Sequence, residues 1–63
     1  MTEEIKYLVR AVNALADARV YIGHVEQIKR AEGKAHSAGQ LNAIKAEILK
    51  AYDHVSGLVE VWR

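Results

Sequence analysis

The second half of the chain repeats apolar residues at alternating intervals of three and four. The members of this seam are Leu41, Ile44, Ile48, Ala51, Val55, Leu58 and Trp62. Such spacing returns each side chain to one face of a helix, whereas a strand would require strict alternation. A second stripe lies beside it and consists of Leu49, Tyr52, Ser56 and Val59. Two adjacent apolar stripes predict that this helix contacts more than one neighbour.

The first half of the chain shows the same organisation. One stripe, interrupted at Arg19, consists of Ile5, Leu8, Val12, Leu15 and Ile22. Another consists of Tyr7, Ala11, Ala14, Ala18, Tyr21, Val25 and Ile28. The three alanines in its middle would let a neighbouring helix approach closely. No proline interrupts either half, so both halves are predicted to be continuous helices.

A short stretch, AEGKAHSAGQLNAIK, separates the two periodic halves. Gly33 follows the first half in the position that glycine favours after a helix C-terminus. Ser37 and Gln40 then have the S-x-x-Q spacing of a capping box, which predicts a second helix start. The expectation is a single helical-hairpin domain over residues 1–63, with helix 1 at about 3–32, a turn at about 33–37 and helix 2 at about 38–62.

One continuous helix in a long coiled coil is the alternative to this turn. It is disfavoured because Gly33 and Gly39 would each cost about 1 kcal/mol relative to alanine inside a helix.

Helices joined by a short turn are antiparallel neighbours, so residues whose numbers add up to about 70 should lie opposite each other. Of the 63 residues, 51% are apolar, and a hairpin of this length cannot cover two apolar stripes on each helix by itself. It has no cysteine, so disulfides cannot supply the missing stability. The predicted fold class is therefore all-α: an antiparallel two-helix hairpin that dimerises into a four-helix bundle.

The charge of the chain excludes several classes of protein. Nine basic and eight acidic residues are interspersed, giving a formal net charge of +1, so binding of nucleic acid through bulk charge is not expected. The sequence MTEEIKYLVR begins with acidic residues and does not resemble a signal peptide. No apolar stretch approaches the length of a membrane span. A cytoplasmic protein without membrane contact is predicted.

No cofactor, metal or catalytic site is predicted. The hairpin register brings His24 near Glu47 and His54 near Asp17, but each pair supplies only two ligands and the pairs lie too far apart for one ion. Two hydrogen bonds between histidine and carboxylate are expected instead. No nucleophile elbow or phosphate-binding loop is present, so an enzyme is not expected.

A modest basic cluster surrounds the turn and could contact phosphates. Its members are Lys29, Arg30, Lys34 and His36. The simpler interpretation is a solvated helix end whose cations complement the helix dipole. No aromatic residue lies among them to stack on bases.

The C-terminal sequence SGLVEVWR is apolar on nearly every side and should contact something. The residues predicted to contact a protein partner or a second subunit are Tyr7, Leu8, Leu58, Val59, Val61 and Trp62. Tryptophan and tyrosine are common anchors of interfaces.

These patterns favour a small, non-catalytic, homo-oligomeric binding protein that acts as a regulator, inhibitor or adaptor of another protein. Accessory proteins of phages and plasmids are often of this kind, an analogy at the level of fold alone. One alternative is a regulator that binds nucleic acid through paired basic turns. Another is binding of a small ligand between subunits.

Overall fold

The computed structural model describes residues 2–63 and consists of two helices that pack against each other as a hairpin. Helix α1 spans Glu3–Ala31 and helix α2 spans Ala35–Trp62. The hairpin measures 47 × 14 × 10 Å between Cα atoms along its principal axes. The prediction of an all-helical hairpin is confirmed.

Both ends of α1 are capped through specific hydrogen bonds. At its start the Thr2 hydroxyl accepts a hydrogen bond from the backbone N–H of Ile5 at 3.2 Å. At its end Gly33 adopts a φ of 76°. The Gly33 N–H donates to the carbonyl of Arg30 at 3.0 Å, and the Lys34 N–H donates to the carbonyl of Lys29 at 2.9 Å. This pair of bonds is a Schellman motif, so Gly33 has the predicted role.

Helix α2 begins at Ala35, three residues before the predicted start, because Gly33 reverses the chain direction within a single residue. Lys34 is the N-cap residue, and its side chain makes no capping hydrogen bond. Its carbonyl already accepts from the N–H of Ala38 at 3.0 Å. Ser37 therefore lies inside the first helical turn, and the predicted capping box does not form.

The two helices meet along one row of residues from each, spaced seven apart, which we call the contact rows. In α1 the contact row consists of Ile5, Val12, Arg19 and Glu26, and in α2 it consists of Ala38, Lys45, Tyr52 and Val59. The four residues that are buried in the described part of the chain all belong to these rows, namely Ile5, Glu26, Ala38 and Val59. The register agrees with the predicted one, because Glu26 and Lys45 lie side by side.

Two helical glycines differ in their surroundings. A Cβ atom added to Gly23 would lie 3.8 Å from Cδ of Lys45, an ordinary contact across the helix pair. A Cβ atom added to Gly57 would meet nothing within 4 Å, so the hairpin has no close helix crossing at Gly57.

The hairpin leaves an unusually large surface uncovered. Its accessible surface is 4729 Å², whereas a compact monomer of 7.0 kDa exposes about 4,000 Å². Its radius of gyration is 14.6 Å, against about 10.6 Å for a compact domain of this length. Among residues 2–63 only three apolar side chains are buried, those of Ile5, Ala38 and Val59. The hairpin alone therefore lacks a core of useful size.

Candidate functional site

One side of the hairpin is apolar along its whole length, and we call it the apolar side. In α1 it comprises Leu8, Ala11, Leu15, Ala18, Ile22 and Val25, and in α2 it comprises Leu41, Ile44, Ile48, Ala51, Val55 and Leu58. These residues recur at the three-and-four spacing of a bundle core. None of them is buried, and Val25, Ile44 and Leu58 are 39%, 42% and 40% exposed.

The two halves of the apolar side face the same direction for a geometric reason. Two antiparallel helices are related by an approximate two-fold axis perpendicular to the plane that contains them. Rows that are rotated in the same direction around each helix, starting from its contact row, therefore lie on the same side of the hairpin. A shallow groove on the opposite side is lined by Val20 from α1 and by Leu49 from α2, in agreement with this rule, and Leu15 of the apolar side also reaches it between the helices. The residues farthest from the apolar side are mostly polar and include Lys6, Arg10, Asn13, Asp17, Lys50 and Asp53.

Outside the apolar side, each helix has a further row of residues that we call its outer edge. The outer edge of α1 consists of Tyr7, Ala14, Tyr21 and Ile28, whereas that of α2 consists of Gln40, Glu47, His54 and Val61. Tyr7, Tyr21 and Ile28 are 59%, 67% and 55% exposed. The guanidinium of Arg10 lies 5.6 Å from the centre of the Tyr7 ring, which places a cation over this aromatic residue.

The predicted contact residues at the open end of the hairpin divide into two groups. Val59 is buried in the contact row, so it stabilises the hairpin itself and is not available to a partner. Leu8 is half-buried, and Tyr7 and Leu58 are exposed.

Val61 and Trp62, at the end of α2, are 79% and 54% exposed. Beside Trp62 lies a cavity of 430 Å³ that Thr2, Ile5 and Arg63 also line. The open end thus combines an exposed indole ring with an apolar depression.

The positive charge of the basic cluster at the turn is partly offset by neighbouring carboxylates. One oxygen of Glu32 lies 3.1 Å from Nζ of Lys29 and 3.7 Å from Nζ of Lys34. Arg30 pairs with Glu26 at 2.7 Å. His36 is exposed in the first turn of α2. The structure brings the four residues predicted to contact phosphate to one end, but it places three of them in ion pairs.

Glu26 is the residue that the sequence analysis missed. Its side chain is the only buried charged one in residues 2–63, and each of its oxygens has a cationic partner. Nζ of Lys45 donates to Oε1 at 2.6 Å, and Nη2 of Arg30 donates to Oε2 at 2.7 Å. These hydrogen bonds, first from Lys45 and then from Arg30, hold the pKa of Glu26 below its ordinary value, although burial opposes them. The sequence did contain a signal for this pair, because 26 and 45 add up to about 70, the sum expected for residues that lie opposite each other.

The histidines do not form the predicted bonds to carboxylates. His24, His54 and both expected partners, Asp17 and Glu47, have exposed side chains, and the side-chain hydrogen bonds found in residues 2–63 include none between them. On an exposed helix surface water competes for such bonds, so proximity in the register does not suffice. Residues 2–63 contain no group of three side chains that could hold a metal ion.

Comparisons with known proteins give no relative. No protein-family model, no curated protein sequence and no solved structure matches the chain. Neither helix, over the residues described, has a stretch both long and apolar enough to cross a bilayer.

Proposed function

We propose that this chain is a non-catalytic binding protein that dimerises into a four-helix bundle and regulates, inhibits or adapts another protein in the cytoplasm. The observation that supports it best is the apolar side, in which all twelve side chains are apolar and none is buried. A surface of this kind is far more continuous than the scattered exposed apolar residues of ordinary monomers. A second copy of the hairpin would convert it into a core.

The dimensions of the hairpin suit a dimer. The surface in excess of that of a compact monomer is roughly 700 Å². A stable interface of standard size buries about 800 Å² on each partner. The surface in excess is therefore of the size that a second hairpin would bury.

The open end supports contact with another protein. Trp62 is exposed beside the cavity at this end, and an exposed tryptophan next to an apolar depression is typical of an interface anchor. Lys29, Arg30 and Lys34 are held in ion pairs with two glutamates, which lowers the positive charge that the turn offers to phosphates. For this reason we place a protein partner ahead of nucleic acid.

The dimer is tested by sedimentation equilibrium together with thermal melting at several protein concentrations. We expect a two-chain species at micromolar concentration and a melting temperature that rises with concentration, since association stabilises the folded chain by mass action. A folded monomer at tens of micromolar would contradict the proposal.

The partner is tested by affinity capture from the native host, followed by reconstitution with the purified partner. Capture should be lost with Trp62→Ala and retained with Asp53→Ala, which alters an exposed residue on the polar side. Binding should depend only weakly on salt. If the captured partner is instead a nucleic acid, with affinity that falls steeply with salt and is lost when Lys29, Arg30 and Lys34 are replaced by glutamine, the protein-partner proposal is wrong.

A further inference from the structure

We propose that the second copy docks so that the two α1 helices lie antiparallel against each other and the two α2 helices do the same. The two-fold axis is then perpendicular to the helices and crosses them near Asp17 and Ala51. This inference rests on the proposed dimer and specifies how its two apolar sides meet. The competing arrangement has an axis parallel to the helices, which places α1 of each copy against α2 of the other.

The outer edges favour the perpendicular axis. The edge of α1 is entirely apolar, whereas the edge of α2 contains Glu47 and His54. With the perpendicular axis, apolar edge meets apolar edge, and the polar edges meet each other where water can reach them. With the parallel axis, Tyr21 would lie against Glu47 and Ala14 against His54. That arrangement would place the polar edge of one helix against the mainly apolar edge of the other, which costs part of the solvation of the polar side chains.

The sizes of the apolar residues favour the same arrangement. Antiparallel α1 helices that cross near Asp17 place Leu8 opposite Val25, Ala11 opposite Ile22 and Leu15 opposite Ala18. Each alanine of α1 then faces a leucine or an isoleucine, so the four-residue layers differ less in volume than in the competing arrangement. Layers of more even volume let the helices keep a more constant separation along the bundle.

The parallel axis would instead produce layers of very unequal size. With this axis, two residues at the same level along the hairpin, such as Ile22 and Ile44, would pack against the same two residues of the second copy. One layer would then contain four isoleucines. Another layer would contain only two copies each of Ala11 and Val55. Overfilled and underfilled layers both destabilise a core.

The outer edge of α1 closes this interface. In the same register Ala14 lies opposite Tyr21, and Tyr7 lies opposite Ile28. The alanine leaves room for the tyrosine ring, so the pattern of one copy complements itself when rotated, as a two-fold interface requires. No side chain of the apolar side is charged, and a net charge of +1 per chain gives little repulsion between copies.

This arrangement places the two turns at opposite ends of the bundle. The basic residues of the two copies are then separated by about the 47 Å length of the hairpin. Each turn lies at the same end as the Trp62 residue of the second copy. The turns therefore cannot form one combined basic surface.

Disulfide trapping in the full chain tests the arrangement, because the protein has no cysteine of its own. Three variants are compared: Ala18→Cys, Ala51→Cys and the control Ala46→Cys. Ala18 and Ala51 lie on the apolar side near the axis, whereas Ala46 is exposed on the polar side. One variant of each mixture is labelled with ¹⁵N, so that mass spectrometry separates disulfides between identical variants from those between different ones.

We expect Ala18→Cys and Ala51→Cys each to oxidise to a disulfide-linked dimer about tenfold or more faster than Ala46→Cys, because neighbouring thiols have a high effective concentration. A mixture of Ala18→Cys and Ala51→Cys should give few mixed disulfides. Preferential formation of mixed disulfides would overturn the inference in favour of the parallel axis while leaving the dimer intact. Sedimentation of all three reduced variants as folded monomers would instead contradict the proposed dimer, and with it this inference.

Discussion

The turn end and the open end of the hairpin are held together by different kinds of contact. At the turn end, beside the buried Ala38, a directional bond joins the helices: Lys45 of α2 donates to Glu26 of α1, whose carboxylate is also held by Arg30 of its own helix. At the open end they are joined by Ile5 and Val59, which are buried but have no directional partner. Directional bonds fix the register of the two helices. Apolar contacts have no preferred direction, and it is at the open end that Val61 and Trp62 remain exposed.

The largest expected effect comes from a charge placed between the two ends. Ile48→Asp introduces a carboxylate into the middle of the apolar side, and an unpaired charge there should cost about 3 kcal/mol or more once the side is covered. We expect the variant to unfold or dissociate in circular dichroism melts and sedimentation. Asp53→Ala is the control, because Asp53 is exposed on the polar side. Equal losses for the two variants would show that the apolar side is not a core.

Two valines of the open end distinguish its role in the fold from its proposed role in binding a partner. Val59→Ala should lower the free energy of unfolding by about 2 kcal/mol, because it removes buried methyl groups from the contact row. Val61→Ala should change stability by less than about 0.5 kcal/mol, since Val61 is 79% exposed. It should instead weaken capture of the partner. Chemical denaturation measures the first effect, and a comparable destabilisation by Val61→Ala would place that residue in the fold.

The turn end should be sensitive to acid through Glu26. Its pKa is lowered in the folded chain, so the ionised form stabilises the fold above the ordinary pKa of glutamate, about 4.3. That stabilisation is lost as the pH falls below this value and through the lowered pKa. Glu26→Gln should be less stable than the native chain at pH 7, and the difference should shrink towards pH 3. A difference that does not depend on pH would show that the charge of Glu26 is unimportant.

The smallest expected effects concern two glycines near the turn. Gly33→Ala should destabilise the hairpin by about 1 kcal/mol, because Gly33 has a φ of 76° that other residues rarely adopt. Gly39→Ala should stabilise it by up to about 1 kcal/mol, because Gly39 is helical and has free space around its Cα. Thermal melts of the two variants should therefore shift in opposite directions. Shifts in the same direction would contradict the assigned turn.

Features governed by local rules were predictable from the sequence. The 3.6-residue periodicity gave both helices, and Gly33 with its flanking cations gave the turn, because helix ends depend on residues close in sequence. The start of α2 was misplaced because Ser37 and Gln40 match a capping box. The Schellman motif at Gly33 had already completed the reversal, so no further cap was needed.

Features governed by contacts between the helices were less predictable. Apolar stripes were visible on both helices, but the contact rows contain Arg19, Glu26 and Lys45, which interrupt any apolar pattern. Glu26 tolerates burial only because two cations reach it, one from the same helix and one from the other. No single stretch of sequence contains all three residues. The same reasoning explains why the expected histidine pairs failed, since equal height in the register does not make side chains meet.

The three-residue connection between α1 and α2 has a consequence for the speed of folding. Glu26 and Lys45 are only 19 positions apart in the chain, so the loop that their ion pair closes is short and its entropic cost is small. Contacts farther from the turn can then form in order, each extending a segment that is already closed. Chains dominated by such near-neighbour contacts fold within microseconds to milliseconds. We therefore expect the collision of two chains, whose rate increases with concentration, to limit the appearance of the complete bundle.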